Sequence, residues 1–278
     1  MSVQPSGYRK ARRWTLDDIP YSDIDHDALR GDEDIFYIVV TASFIEISSD
    51  LYTGNLLDFF RADADVSRWL KKHWEPEELQ HGHALKAYVQ QAWPDFDWQA
   101  AYDDFIAEYS RYCTGEELEE SRALEMAARC VIEMGTSSYY SAVQASTHEP
   151  VLQELAGYIR QDEVRHYKYF YRFFCRYRDQ EGQGRLDVLG ALRRRLWELR
   201  DSDAECAFWH AFHHHRPGFM RDGAECRQAF SSVARRLREH YPGTMAVKMT
   251  LKPLDLPPSL QKIIVQPLAR ATQHWLLR

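Results

Sequence analysis

The chain has 278 residues and a mass of 32.7 kDa, with 45% hydrophobic and 28% charged residues and a formal net charge of −7. That length can bury a substantial core in one or two domains, and the apolar content argues against disorder. The acidic balance gives no general attraction to nucleic acid or anionic membrane, and no run approaches the ~20 apolar residues of a membrane span.

No apolar stretch follows the N-terminal charges, so no signal peptide is expected and the cytoplasm is the expected compartment. Five cysteines (Cys113, Cys130, Cys175, Cys206, Cys226) are odd in number and form no Cys-x-x-Cys pair, which disfavours a disulfide framework or a zinc ribbon. Residues 1–31 read as an N-terminal extension that carries the basic run Arg9-Lys10-Ala11-Arg12-Arg13.

From there the periodicity is helical. Asp32 caps a first helix through Ile35, Val39, Ala42 and Glu46 to about Phe60. A polar break at Arg61-Ala62-Asp63-Ala64-Asp65 precedes a second helix, which Pro94 ends. After a short amphipathic stretch (Trp98 to Tyr109), Thr114-Gly115-Glu116-Glu117 reads as a capping box that opens a third helix to about Ser146. Glu149-Pro150 starts a fourth helix reaching about Asp179. Short connections within each pair and a long one between the pairs predict an all-α, ferritin-like four-helix bundle over 32–182. Its two antiparallel hairpins would be joined by one long crossover. Residues 183–278 are expected to add flanking helices to the same domain: Leu186 to Phe212, Cys226 to Glu239 and Pro257 to Leu277.

The chemistry-bearing pattern is Glu-x-x-His, present as Glu78-Leu79-Gln80-His81 and as Glu163-Val164-Arg165-His166. Residues i and i+3 share a helix face, so each motif aims a carboxylate and an imidazole at one spot. Those donors suit iron or manganese, and carboxylates can bridge two ions. Glu46 lies 32 residues before Glu78, and Glu133 lies 30 before Glu163. With a turn midway, each lone glutamate meets its motif at one height of a hairpin. Four buried carboxylates would be ruinous without cations. The expected ligands are therefore Glu46, Glu78, His81, Glu133, Glu163 and His166, around two iron ions, with manganese or a mixed pair as alternatives. Glu77 and Asp162, each just ahead of a motif, are placed to accept the outer N–H of a ligand histidine on the neighbouring helix.

These residues resemble a known group. Trp74-Glu75-Pro76-Glu77-Glu78-Leu79-Gln80-His81-Gly82 is similar to the W-x-x-E-E-x-x-H-G motif of the soluble acyl-carrier-protein desaturases. Asp162-Glu163-Val164-Arg165-His166 resembles their D-E-x-R-H, and Glu133-Met134-Gly135-Thr136 their E-x-x-T. The resemblance covers roughly residues 32 to 175. It implies the same six ligands, a homodimer, and Thr136 as the hydroxyl on the dioxygen side, the candidate for proton delivery. Pro76 departs from a regular second helix and should kink it two residues before a ligand.

The expected function is a dioxygen-activating di-iron oxidoreductase acting on a hydrophobic, acyl-chain-like substrate, free or carried on acyl carrier protein. The apolar first helix would wall its pocket. Electrons would come from a separate ferredoxin or flavoprotein. If the substrate rides on acyl carrier protein, which is acidic, the basic runs at 9–13 and Arg193-Arg194-Arg195 are candidate docking surface for it. Hydroxylation, N-oxygenation or deformylation at the same site, or iron handling, are the alternatives. His210, His213, His214 and His215 suggest an additional metal site or a solvated helix end. Tyr167 and Tyr140 could stand beside the metals, though aromatic core packing is the simpler reading.

Overall fold

A computed structural model describes residues 13–111, 118–198 and 203–275, with side chains to 272. Among the described residues every regular element is helical and there is no strand. In chain order the helices are α1 (His26–Leu29), α2 (Glu33–Ile47), α3 (Asp50–Phe59), α4 (Ala64–Trp69), α5 (Glu75–Ala92), α6 (Trp98–Tyr109) and α7 (Arg122–Ser146). They continue as α8 (Pro150–Glu181), α9 (Arg185–Glu198), α10 (Asp203–His215), α11 (Ala224–Glu239), α12 (Gly243–Leu251) and α13 (Pro258–Trp275).

Side-chain caps set most starts. Asp32 accepts from the Ile35 amide, Asp97 from Ala100, Ser121 from Leu124, and Glu149 from Val151 and Leu152. Gly182, at φ 67°, ends α8 in the left-handed conformation that glycine adopts freely. The third long helix thus opens at Arg122, not near Thr114; the Thr114–Glu117 capping box lies outside the described residues.

The first predicted helix breaks directly after its glutamate. Ser48 Oγ bonds back to the Phe44 carbonyl (2.8 Å) and Thr53 Oγ1 to the Ser49 carbonyl (2.8 Å), and these local bonds bend the chain between α2 and α3. By length and composition alone, Glu33–Phe59 is apolar enough to cross a membrane, but 67% of its most apolar window is buried inside the fold. It is a core helix, covered by α5, α10 and α11.

The second predicted helix has three parts, α4, a π-helical turn (Leu70–Trp74) and α5. Pro76 has no N–H for the carbonyl four residues back, and the widened turn just ahead of it absorbs the loss. The kink expected at Pro76 is therefore a change of helical pitch, with proline in the first turn of α5.

Two antiparallel pairs form the centre. In one, Phe36 of α2 packs on Trp93 after α5 while Gly82 of α5 meets Ile47 of α2. In the other, Arg122 at the start of α7 bonds Glu181 at the end of α8 (2.9 Å), and Gln144 reaches the Gln153 carbonyl (3.1 Å). A small apolar cluster joins α12 to α13, and two large ones make up most of the core. One gathers Phe36, Phe44, Tyr88, Tyr140 and Ile159 with α6 and α10; the other gathers Trp69, Met126, Val131, Phe170 and Phe174 with α9 and α12. The expected single helix over Leu186–Phe212 is two, because α9 packs on α7 whereas α10 packs on α2 and α6. Helix α12 was not expected from the sequence; it too lies on α7.

Candidate metal centre

The charged residues occupy the level where the two apolar clusters meet. Helix α2 brings Glu46, α5 Glu78 and His81, α7 Glu133, and α8 Glu163 and His166, and all six are buried, His81 completely. The antiparallel pairing puts each lone glutamate at the height of its partner motif.

The donor atoms form two overlapping groups, Glu46–Glu78–His81–Glu163 and Glu78–Glu133–Glu163–His166, each with its ligand atoms within 4.8 Å of one another. Glu78 and Glu163 belong to both. Glu78 places Oε1 2.9 Å from His166 Nδ1 and Oε2 3.9 Å from His81 Nδ1. Glu163 mirrors it, with Oε1 3.1 Å from His81 Nδ1 and Oε2 3.9 Å from His166 Nδ1. Glu46 stands only on the His81 side (3.7 Å) and Glu133 only on the His166 side (3.5 Å). Two bridging and two terminal carboxylates with one imidazole per side is a layout for two cations.

A further observation tests whether cations fit. His81 Nδ1, His166 Nδ1, Glu78 Oε1, Glu133 Oε2 and Glu163 Oε1 are buried and make no well-formed hydrogen bond, and all five sit on residues of the two donor groups. Orphaned buried polar atoms are costly, and here they converge. Two divalent ions would satisfy them and neutralise the four carboxylates.

The outer atoms, by contrast, are well supplied. His81 Nε2 lies 3.3 Å from Asp162 Oδ2, and His166 Nε2 lies 2.9 Å from Glu77 Oε2. With each Nε2–H donated to an acid, each Nδ1 keeps its lone pair for the interior. Tyr140 donates to Glu46 Oε1 (2.6 Å), Trp74 to Glu133 Oε1 (3.1 Å) and Thr136 to Glu163 Oε2 (2.7 Å). Arg165 Nη2 then ties the two outer acids together, 2.8 Å from Glu77 and 2.7 Å from Asp162.

The N-terminal segment closes this shell. Trp14 donates to Asp162 (2.8 Å) and stacks parallel to His81 with ring centroids 6.0 Å apart, while Arg13 pairs with Glu77 (2.9 Å). Periodicity gives no sign of this, because Trp14 lies outside any helix. A lone tryptophan beside a basic run was the only available signal.

Titration follows the geometry. Burial opposes charging of both histidines, but the carboxylates around them outweigh it and hold both well above the ordinary range. Glu77, although burial works against it, is lowered to about 2 by His166 and Arg165. Burial pushes Glu133 up to about 8 and raises Glu78. Without cations, protons on the histidines offset part of the carboxylate charge, so metal entry releases them.

The remaining sequence candidates lie elsewhere. Tyr167 donates to the Met249 carbonyl (2.6 Å) and sits in the second apolar cluster, whereas Tyr140 touches the centre. The four histidines of α10 do not converge: His210 pairs with Glu108 (3.0 Å) and His214 with Asp104 (2.8 Å), while His213 packs on Trp209 and His215 on Phe36. Within the second basic run, Arg194 is paired with Glu119 and Arg195 with Glu198 (3.1 Å). Arg9 to Arg12 and Cys113 lie outside the described residues. Cys130, Cys175, Cys206 and Cys226 are free thiols. No protein-family model matches this chain and no curated protein matches it, so the reading of the centre rests on these residues alone.

Proposed function

We propose that this chain is a ferritin-like di-iron oxidoreductase that acts on a hydrophobic, acyl-chain-like substrate, in the manner of a desaturase. The observation that carries the reading is the sharing of Glu78 and Glu163 between two buried donor groups whose unpartnered atoms face inward. The ferritin-like assignment is supported by the two antiparallel pairs, α2 with α5 and α7 with α8, and by the long connection through α6 between them.

Glu46, Glu78 and His81 on one side, and Glu133, Glu163 and His166 on the other, would hold the pair, with Glu78 and Glu163 spanning both positions. Bound there, two iron ions, or manganese in one or both places, supply the power to activate dioxygen against an unactivated C–H bond. The protein's part is positional. Asp162 and Glu77 fix the ring orientation and tautomer of His81 and His166. Tyr140 and Trp74 each hold one oxygen of a terminal carboxylate, so that the other points inward. Thr136 keeps its hydroxyl proton on Glu163 Oε2, where it can be passed to or taken from that oxygen. Apolar clusters on both flanks keep water out and suit an alkyl substrate better than a polar one. Electrons are assigned to a separate ferredoxin or flavoprotein.

The test is anaerobic loading with ferrous iron followed by dioxygen. The reading expects about two irons per chain and a new iron-dependent visible absorption, both lost in Glu163→Ala. Mass analysis of acyl thioesters incubated with a donor then separates loss of two hydrogens (desaturation) from gain of one oxygen (hydroxylation). Uptake of many irons per chain points to storage, and uptake of none removes the proposal.

A further inference from the structure

A second cluster of metal-ligating side chains lies between α6 and α10, away from the buried centre. Helix α10 carries Cys206, His210 and His214 at intervals of four residues, which sets them along one stripe. Facing them, α6 presents Glu108 and Asp104 on a matching stripe. Ligand atoms of Glu108, Cys206 and His210 all lie within 4.8 Å of one another, and Cys206 and His210 are both buried.

We propose that Glu108, Cys206 and His210 form a second metal site of the zinc class, joining α6 to α10. One thiolate, one imidazole and one carboxylate are the donors a soft-to-borderline divalent ion prefers, unlike the oxygen-rich set at the first centre. Three such donors around zinc stand about 3.3–3.8 Å apart, given bonds of about 2.0–2.3 Å. His210 Nε2 and Glu108 Oε2, at 3.0 Å, need only open slightly.

The surroundings orient the donors. Arg221 holds Glu108 Oε1 at 2.7 Å, which leaves Oε2 turned toward His210. His214 is taken up by Asp104 and stays outside the set. In the bound form the His210 ring would carry its proton on Nδ1, so that Nε2, now facing Glu108 Oε2 at 3.0 Å, offers its lone pair to the ion. Binding converts the Cys206 thiol to a thiolate and releases that proton to water. The charges of thiolate and carboxylate then cancel those of the ion.

The test uses the full chain, chelator-stripped, reloaded with ferrous iron without oxygen, and titrated with zinc against a chromophoric chelator. One zinc per chain beyond the iron content is expected. Cobalt in its place should give a thiolate-to-cobalt charge-transfer band, which the sulfur-free donor set of the first centre cannot produce. Cys206→Ala and His210→Ala should abolish the extra zinc and the band, with iron content unchanged; replacing another buried thiol, Cys226→Ala, should keep both. If the variants unfold, the cobalt spectrum of the unaltered chain decides. Absence of the band, or extra zinc retained in folded Cys206→Ala and His210→Ala, overturns the proposal.

Discussion

A methyl group placed on Gly82 would lie 2.4 Å from the backbone nitrogen of Ile47. Gly82 follows His81 and Ile47 follows Glu46, so α5 and α2 approach closely beside two members of the centre. Backbone cannot swing aside as a side chain can. Gly82→Ala should therefore push α2 away, at a cost of about 3 kcal/mol or more. It should also separate Glu46 from His81. Chemical denaturation reads the first effect and metal titration the second; a variant that binds two ions with unaltered affinity would show that the contact has no bearing on the centre.

Arg165 links the acids behind the two histidines through a single nitrogen. Glu77→Gln and Asp162→Asn should each weaken metal binding by about 10- to 100-fold. Because the pair shares Arg165, their effects should not add: the double variant should fall short of the product of the single losses. Chelator competition on the three variants measures this. Strict additivity would mean that the two halves act independently.

Glu133 is a buried acid in the metal-free protein and, under the proposed reading, a ligand in the loaded one. Glu133→Gln keeps an oxygen for Trp74 and mimics the protonated carboxyl that burial favours. Without metal, burial keeps the folded carboxyl largely protonated up to about pH 8, whereas the unfolded one ionises near its ordinary 4.5. The variant should therefore melt close to the parent near pH 4.5 and increasingly above it as pH rises to about 8. With metal the parent should melt higher, because it gains binding energy that the variant has lost. Parallel melts with and without ferrous iron decide. A metal-free variant much less stable than the parent would mean the carboxylate is structural.

Asp63 gives a pH effect outside the centre. Its Oδ1 caps α4 at the amides of Asp65 and Val66, and its Oδ2 accepts from Tyr177 (2.7 Å) and Arg176. Burial works against the charge, but Tyr177, the Val66 amide and Arg176 outweigh it and hold the carboxyl below its ordinary value of 3.8. The stabilisation is thus complete above that value and is lost as pH falls through the lowered one. Asp63→Ala should cost about 1–2 kcal/mol at neutral pH. The gap to the parent should close only at pH values well below 3.8. A gap independent of pH would leave only a packing role.

The six inward donors were legible because the helix repeat itself carries the information. Glu78 and His81 share a face by spacing, and Glu46 and Glu133 sit in apolar runs at matching heights. Glu77 and Asp162 were legible for the same reason. What supports the other carboxylates was not. Trp74 and Tyr140 reach across helices, and no local pattern says which glutamate oxygen they will meet. The resemblance that pointed to Thr136 gave its place on α7 but not its bond to Glu163. Boundaries failed where side chains compete with the backbone, at Ser48 and Thr53, or where proline shifts the pitch before Glu75. Beyond residue 184 helix faces are half exposed, and the periodicity could not separate α9 from α10 or find α12.

Trp14 makes the beginning of the described chain a working part of the molecule. Its ring lies flat against His81 and its N–H holds Asp162, so whatever grips or clips the stretch just ahead of it pulls on an imidazole deep inside. Under the proposed reading, tags fused there, or a protease nick, would loosen that grip, weaken metal binding and with it lower the melting point of the loaded chain. Displacing Trp14 would, on that same reading, set how firmly the ions are held.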